Sequence, residues 1–102
     1  MIPKSFDAFV QSLKADKPEV LWPEALKALW YDGKDNWEMA HNIAQDIPSI
    51  HGYWIHAYLH RKEGDKWNAG YWYTRANREF PLVSLEAEFL ELVGEVISTA
   101  TN

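Results

Sequence analysis

Cysteine is absent from the sequence. Disulfide staples, thiol nucleophiles and cysteine-ligated zinc or iron–sulfur centres are therefore excluded. Long apolar runs are missing too: nothing approaches the ~20 residues of a membrane-spanning helix. The opening segment MIPKSFDAFVQSLKAD has no continuous apolar stretch of the signal-peptide kind. A cytoplasmic protein with no membrane association is the expectation. Positive charge is scarce, with 10 Lys and Arg against 15 Asp and Glu and a net charge of -5, which argues against nucleic acid as a partner. Glycine-rich phosphate loops are absent, and none of Ser5, Ser12, Ser49, Ser84 or Ser98 stands in a nucleophile-elbow context. Period-2 alternation of the strand type is found nowhere along the chain.

What is present is helical periodicity. Phe6, Phe9, Val10 and Leu13 recur at i, i+3, i+4 and i+7 behind a Ser5 cap. Pro23 suits the first turn of a second helix carrying Leu26, Leu29 and Trp30, which Gly33 is expected to end in a left-handed cap. A third helix is expected from Asp35, with Glu38 completing a capping box and Met39, Ala40, Ile43 and Ala44 buried, stopping before Pro48. Ser49 caps a fourth helix with a stripe of Trp54, Ile55, Tyr58 and Leu59, its secure start placed near Tyr53 because Gly52 weakens the first turn. Gly64 ends it and Asp65 opens a fifth, packing Ala69, Trp72, Tyr73 and Ala76; a turn this short makes the two antiparallel neighbours. After Phe80-Pro81, Ser84 starts a sixth helix with Leu85, Phe89, Leu92, Val93 and Val96 on one face. The expected fold is all-α: one domain over residues 1–102, about six helices, stacked antiparallel hairpins.

Asp35-Asn36-Trp37 and Asp65-Lys66-Trp67 repeat after ~30 residues, each opening a helix. The run Gly64-Asp65-Lys66-Trp67-Asn68-Ala69, with Tyr73 and Ala76, resembles the turn and second helix of a tetratricopeptide repeat, which implies tetratricopeptide-like packing of the hairpins. The longer run Trp54-Ile55-His56-Ala57-Tyr58-Leu59-His60-Arg61-Lys62-Glu63-Gly64-Asp65, followed by Tyr71-Trp72-Tyr73 and Arg75-Ala76 and preceded by Trp37, Ala40 and His41, resembles the signature of a group of small, uncharacterised bacterial proteins. That resemblance carries no activity with it.

The chemistry-bearing residues concentrate between His51 and Arg78, which holds three of the four histidines and all three arginines. Charge is segregated as well: residues 51–78 are net positive, while residues 79–102 carry five glutamates and no base. Pairing between these two regions is the expected use of most of that charge. His56, His60 and Glu63 fall at i, i+4 and i+7 on one helical face. Tyr71, Arg75 and Arg78 stack similarly on the next helix, where a guanidinium fork beside a phenol suits a carboxylate or phosphate. The leading expectation is a non-enzymatic binding module that uses His56, His60, Glu63, Tyr71, Arg75 and Arg78 to hold a small anion, a peptide carboxylate or a protein partner, with a homodimer as a further possibility and no cofactor. The alternative is a metal-binding protein or metal-dependent enzyme. Two histidines four apart can grip one divalent transition metal such as zinc, with Glu63, His41 or His51 as further ligands. Ala57 stands where a zinc peptidase helix needs its glutamate base, so that activity is not expected. Of the six tryptophans, Trp30, Trp54 and Trp72 belong to core stripes, and Trp37 and Trp67 are the expected partly exposed pair.

Overall fold

Five of the six helices open on a side-chain oxygen that accepts a hydrogen bond from a backbone N–H three residues on: Ser5, Asn36, Ser49, Asp65 and Ser84. The computed structural model describes residues 1–101, and the helices are α1 (Phe6–Ser12), α2 (Glu24–Gly33), α3 (Trp37–Ala44), α4 (Ile50–Lys62), α5 (Lys66–Arg75) and α6 (Leu85–Ala100). No strand occurs among the described residues, and no helix is long and apolar enough to cross a membrane.

The most extensive packing joins α2 to α3 and α4 to α5, giving two successive hairpins, while α6 lies across α1, α2 and α4. The exits of α2, α4 and α5 share one device. Asp35, Gly64 and Asn77 each adopt a left-handed conformation, with φ of 61°, 89° and 59°. The next residue then donates its N–H back to the last turn, Asn36 to the Tyr31 carbonyl, Asp65 to that of His60 and Arg78 to that of Tyr73, each at 2.9 Å. This corrects two expectations. The α2 exit turns at Asp35, two residues beyond Gly33, and α3 is capped by Asn36 because Asp35 is occupied in the turn itself. The structural repeat therefore pairs Asn36 with Asp65, one residue out of step with the pairing of Trp37 and Trp67 read from sequence. In the structural register Ala28 corresponds to Ala57 and Ala40 to Ala69. All four are fully buried, because a methyl group is what the close approach of paired helices leaves room for.

One core cluster runs through the molecule. α4 touches α2, α3, α5 and α6, so Trp54, Ile55, Ala57, Tyr58 and Leu59 are all buried. Helix α4 begins at Ile50 rather than near Tyr53, and Gly52 assists that start instead of weakening it: its bare α-carbon lies against the Ile47 carbonyl. Two side chains assigned to the core prove exposed, Met39 on α3 and Val10 on α1, since no later helix covers those faces. Indole N–H groups tie distant segments together: Trp22 donates to the Met1 carbonyl at 2.9 Å, Trp30 to that of Ser12 at 3.2 Å and Trp37 to that of Leu59 at 2.8 Å.

The acidic and basic regions do pair. Arg61 meets Glu88 at 2.8 Å, Arg78 meets Glu91 at 2.8 Å, and His51 lies 3.8 Å from Glu95, all between the middle hairpin and α6. Asp32 of α2 is also buried, holding Lys62 of α4 at 2.9 Å.

Candidate metal centre on the middle hairpin

The four-residue spacing of His56 and His60 places their imidazoles one above the other on α4, with centroids 4.9 Å apart and planes inclined by 28°. A third imidazole arrives from the other hairpin. His41, on α3, brings its Nε2 to 3.1 Å from His56 Nε2, and its ring lies 5.2 Å from that of His60. One ring nitrogen from each of the three lies within 4.8 Å of the others. Trp37 sets the height of His41. One turn earlier on α3, it stacks on the His41 ring at 4.8 Å and 11°, while its indole N–H is anchored on the Leu59 carbonyl of α4. Across the cluster, Trp72 of α5 stacks on His56 at 4.1 Å and 18°. Two indoles thus wall the three imidazoles.

Burial disfavours the charged form of two of these histidines. His56 is only 7% exposed, and desolvation, followed by its neighbours His41 and His60, pushes its pKa down to about 4. His41 is lowered by the same causes, burial first and then the charge of His60. His60 meets Glu63 at 2.7 Å through Nδ1. With a carboxylate as acceptor, Nδ1 carries the proton, which leaves Nε2 as the nitrogen a metal would take. In the 3.1 Å contact between His41 and His56 one Nε2 donates its proton to the other, and a bound metal would take the place of that proton.

The depressed pKa of His56 has a consequence for the metal-free protein. An unfolded histidine titrates near 6.5, so between pH ~6.5 and 4 the unfolded chain binds the extra proton and the folded chain does not. Stability is therefore complete above the unfolded pKa and is lost as pH falls through this window. Chelator-treated protein is expected to lose roughly 2–3 kcal/mol between pH 7 and pH 4.5. Urea denaturation at both pH values measures this, and His56→Gln is expected to flatten the dependence.

The residues singled out from sequence divide into two groups. His56, His60 and Glu63 stand together in the cluster. Tyr71 and Arg75 form a second set, Arg75 donating to the Tyr71 hydroxyl at 3.2 Å, and it meets the first through Trp72, which touches both His56 and Arg75. Arg78 stands apart, its guanidinium 3.5 Å over the Trp54 ring and bound to Glu91, at the edge of a hollow of about 430 Å³ that Glu88 also lines. His51 lies beside Glu95, five residues before His56. Glu63 and His60 also come near Asp65, but both Asp65 oxygens are engaged by Asn68, through its backbone N–H at 3.2 Å and its side-chain amide at 2.7 Å. His41 was one of several possible further ligands in the sequence, and only the docking of α3 on α4 selects it. Comparison of the chain with family models, with curated proteins and with solved structures returns no match.

Proposed function

We propose that this protein binds a divalent transition metal through His41, His56 and His60. The observation that carries this reading is the 3.1 Å approach of two Nε2 atoms from separate hairpins, with the third imidazole in reach. Two nitrogens held ~2.0–2.1 Å from a tetrahedral zinc stand about 3.3 Å apart, so the His41–His56 pair is already near ligating separation. The donor set suits zinc, copper or nickel, whose ligands must be neutral imidazoles. The low pKa values of His41 and His56 meet that requirement at pH 7, and for the same reason those rings make poor cationic donors for an anion. Glu63 supports the reading as the carboxylate that orients a ligating histidine from behind.

Three protein ligands leave a fourth position for water or an exogenous ligand. The reading is one of binding rather than catalysis, because the two nearest carboxylates are committed, Glu63 to His60 and Asp65 to the cap of α5. Zinc titration of chelator-treated protein tests it. One equivalent is expected to bind, and free zinc at a hundred times Kd is expected to add about 2.7 kcal/mol to the unfolding free energy. Glu63→Gln is expected to weaken binding by about 10- to 100-fold. His41→Gln, at a partly exposed member of the cluster, is expected to abolish the stabilisation while the fold persists. Unchanged melting with zinc, or stabilisation that survives His41→Gln, would overturn the proposal.

A further inference from the structure

Two of the three arginines are neutralised internally. Arg61 is bound to Glu88 and to the Val83 carbonyl, and Arg78 to Glu91. Arg75 has no carboxylate partner among the described residues. Its guanidinium is framed instead by rings, 4.8 Å from the centroid of Tyr53, 5.3 Å from that of Trp72 and 5.9 Å from that of Tyr71, and it donates to the Tyr71 hydroxyl. Aromatic faces attract and orient a guanidinium without cancelling its charge. The group is held in place and keeps donors at its edge. Its own helix adds no counter-charge: α5 reads KWNAGYWYTR, with Lys66 and Arg75 and no acid. In a chain of net charge -5, an oriented and unneutralised guanidinium fork has the form of an oxyanion receptor.

The same helix also indicates what the anion is attached to. Tyr71 and Trp67 precede Arg75 at steps of four residues, so they share its face at about 6 Å per step along the axis. Tyr71 is 48% exposed and Trp67 80% exposed. A tryptophan that open has its indole face free to be covered. We infer that the Trp67–Tyr71–Arg75 face of α5 binds a small amphiphilic carboxylate, with the carboxylate on the Arg75 fork and a flat apolar body over Tyr71 and Trp67. This site is separate from the metal reading and does not depend on it.

The test is a titration of chelator-treated protein, so that no bound metal takes part, followed through the tryptophan indole N–H signals in proton–nitrogen correlation spectra. The probes are 3-phenylpropionate, acetate and inorganic phosphate. Saturable shifts of the Trp67 and Trp72 signals are expected with 3-phenylpropionate, which binds several-fold more tightly than acetate or phosphate. Arg75→Lys keeps the charge but removes the planar fork, and is expected to weaken 3-phenylpropionate binding at least tenfold. Trp67→Ala is expected to weaken 3-phenylpropionate and leave acetate unaffected. Both substitutions are at exposed positions, and an unmoved Trp54 signal reports that the fold is kept. Shifts that grow linearly without saturation, or binding unchanged in Arg75→Lys, would overturn the inference. Phosphate binding more tightly than 3-phenylpropionate, and insensitive to Trp67→Ala, would overturn the carboxylate assignment.

Discussion

Gly52→Ala is expected to destabilise the protein by about 3 kcal/mol or more, a far larger effect than its single methyl group suggests. A β-carbon at this position would lie 2.2 Å from the Ile47 carbonyl oxygen, 2.6 Å from the Ile47 β-carbon and 2.8 Å from its Cγ2. None of these is the far end of a flexible side chain, so relief requires backbone movement. The backbone there is held from both sides: Ile47 donates to the Ala44 carbonyl at 3.1 Å, its own carbonyl accepts from Ser49 at 2.9 Å, and Pro48 fixes the torsion between. The gain in helix propensity from glycine to alanine, about 1 kcal/mol, does not offset such a clash. Urea denaturation measures the effect, and a melting temperature lower by about 12–24 °C is the thermal counterpart. Gly70→Ala is the control. A β-carbon there meets nothing within 4 Å, in the interior of α5, and that substitution is expected to stabilise by about 0.5–1 kcal/mol. If both variants unfold at the same urea concentration, the close approach at Gly52 is not what holds the α3–α4 junction.

Glu88→Ala is the second change expected to cost several kcal/mol. Glu88 is 1% exposed, and its carboxylate accepts from Arg61 at 2.8 Å, from the Trp54 indole at 3.0 Å and from the Tyr73 hydroxyl. Removing it strands a largely buried guanidinium and two buried donors together, which costs about 3–5 kcal/mol. Tyr73 shows the strength of the environment, since burial and then the bond to Glu88 raise its pKa well above the usual phenol range. Glu88→Gln keeps an acceptor oxygen and is expected to lose less, while Arg61→Met in the Glu88→Ala background is expected to recover part of the loss by removing the unpaired charge. Urea midpoints for wild type, Glu88→Ala, Arg61→Met and the double variant give the coupling directly, and additive losses in Arg61 and Glu88 would show that the pair acts as two independent groups.

Much of the fold was legible because it is written in short-range chemistry. The caps Ser5, Ser49, Asp65 and Ser84 act on the N–H three residues on, and the stripe of Trp54, Ile55, Tyr58 and Leu59 follows from helical spacing alone. The errors are local competitions decided by neighbours. Asp35 was read as a cap because Glu38 follows it, yet the left-handed exit of α2 had a prior claim on that residue and passed the cap to Asn36. Gly52 was read as a weak helical residue because propensity does not see Ile47 pressing on its α-carbon.

The candidate site divides in the same way. Sequence alone determined that His56, His60 and Glu63 share a face and that Tyr71 and Arg75 share another, since i, i+3 and i+4 neighbours meet on any helix. Tertiary structure alone decided that His41 joins the first group, that His51 and Arg78 turn to the glutamates of α6, that Arg75 is left without a carboxylate among the described residues, and that Glu88 is buried. Each of those outcomes depends on how one helix crosses another. A crossing is set by the summed packing of many side chains, with Trp37 on Leu59 and Ala40 against its neighbours among them. The pattern within any one helix does not contain that sum.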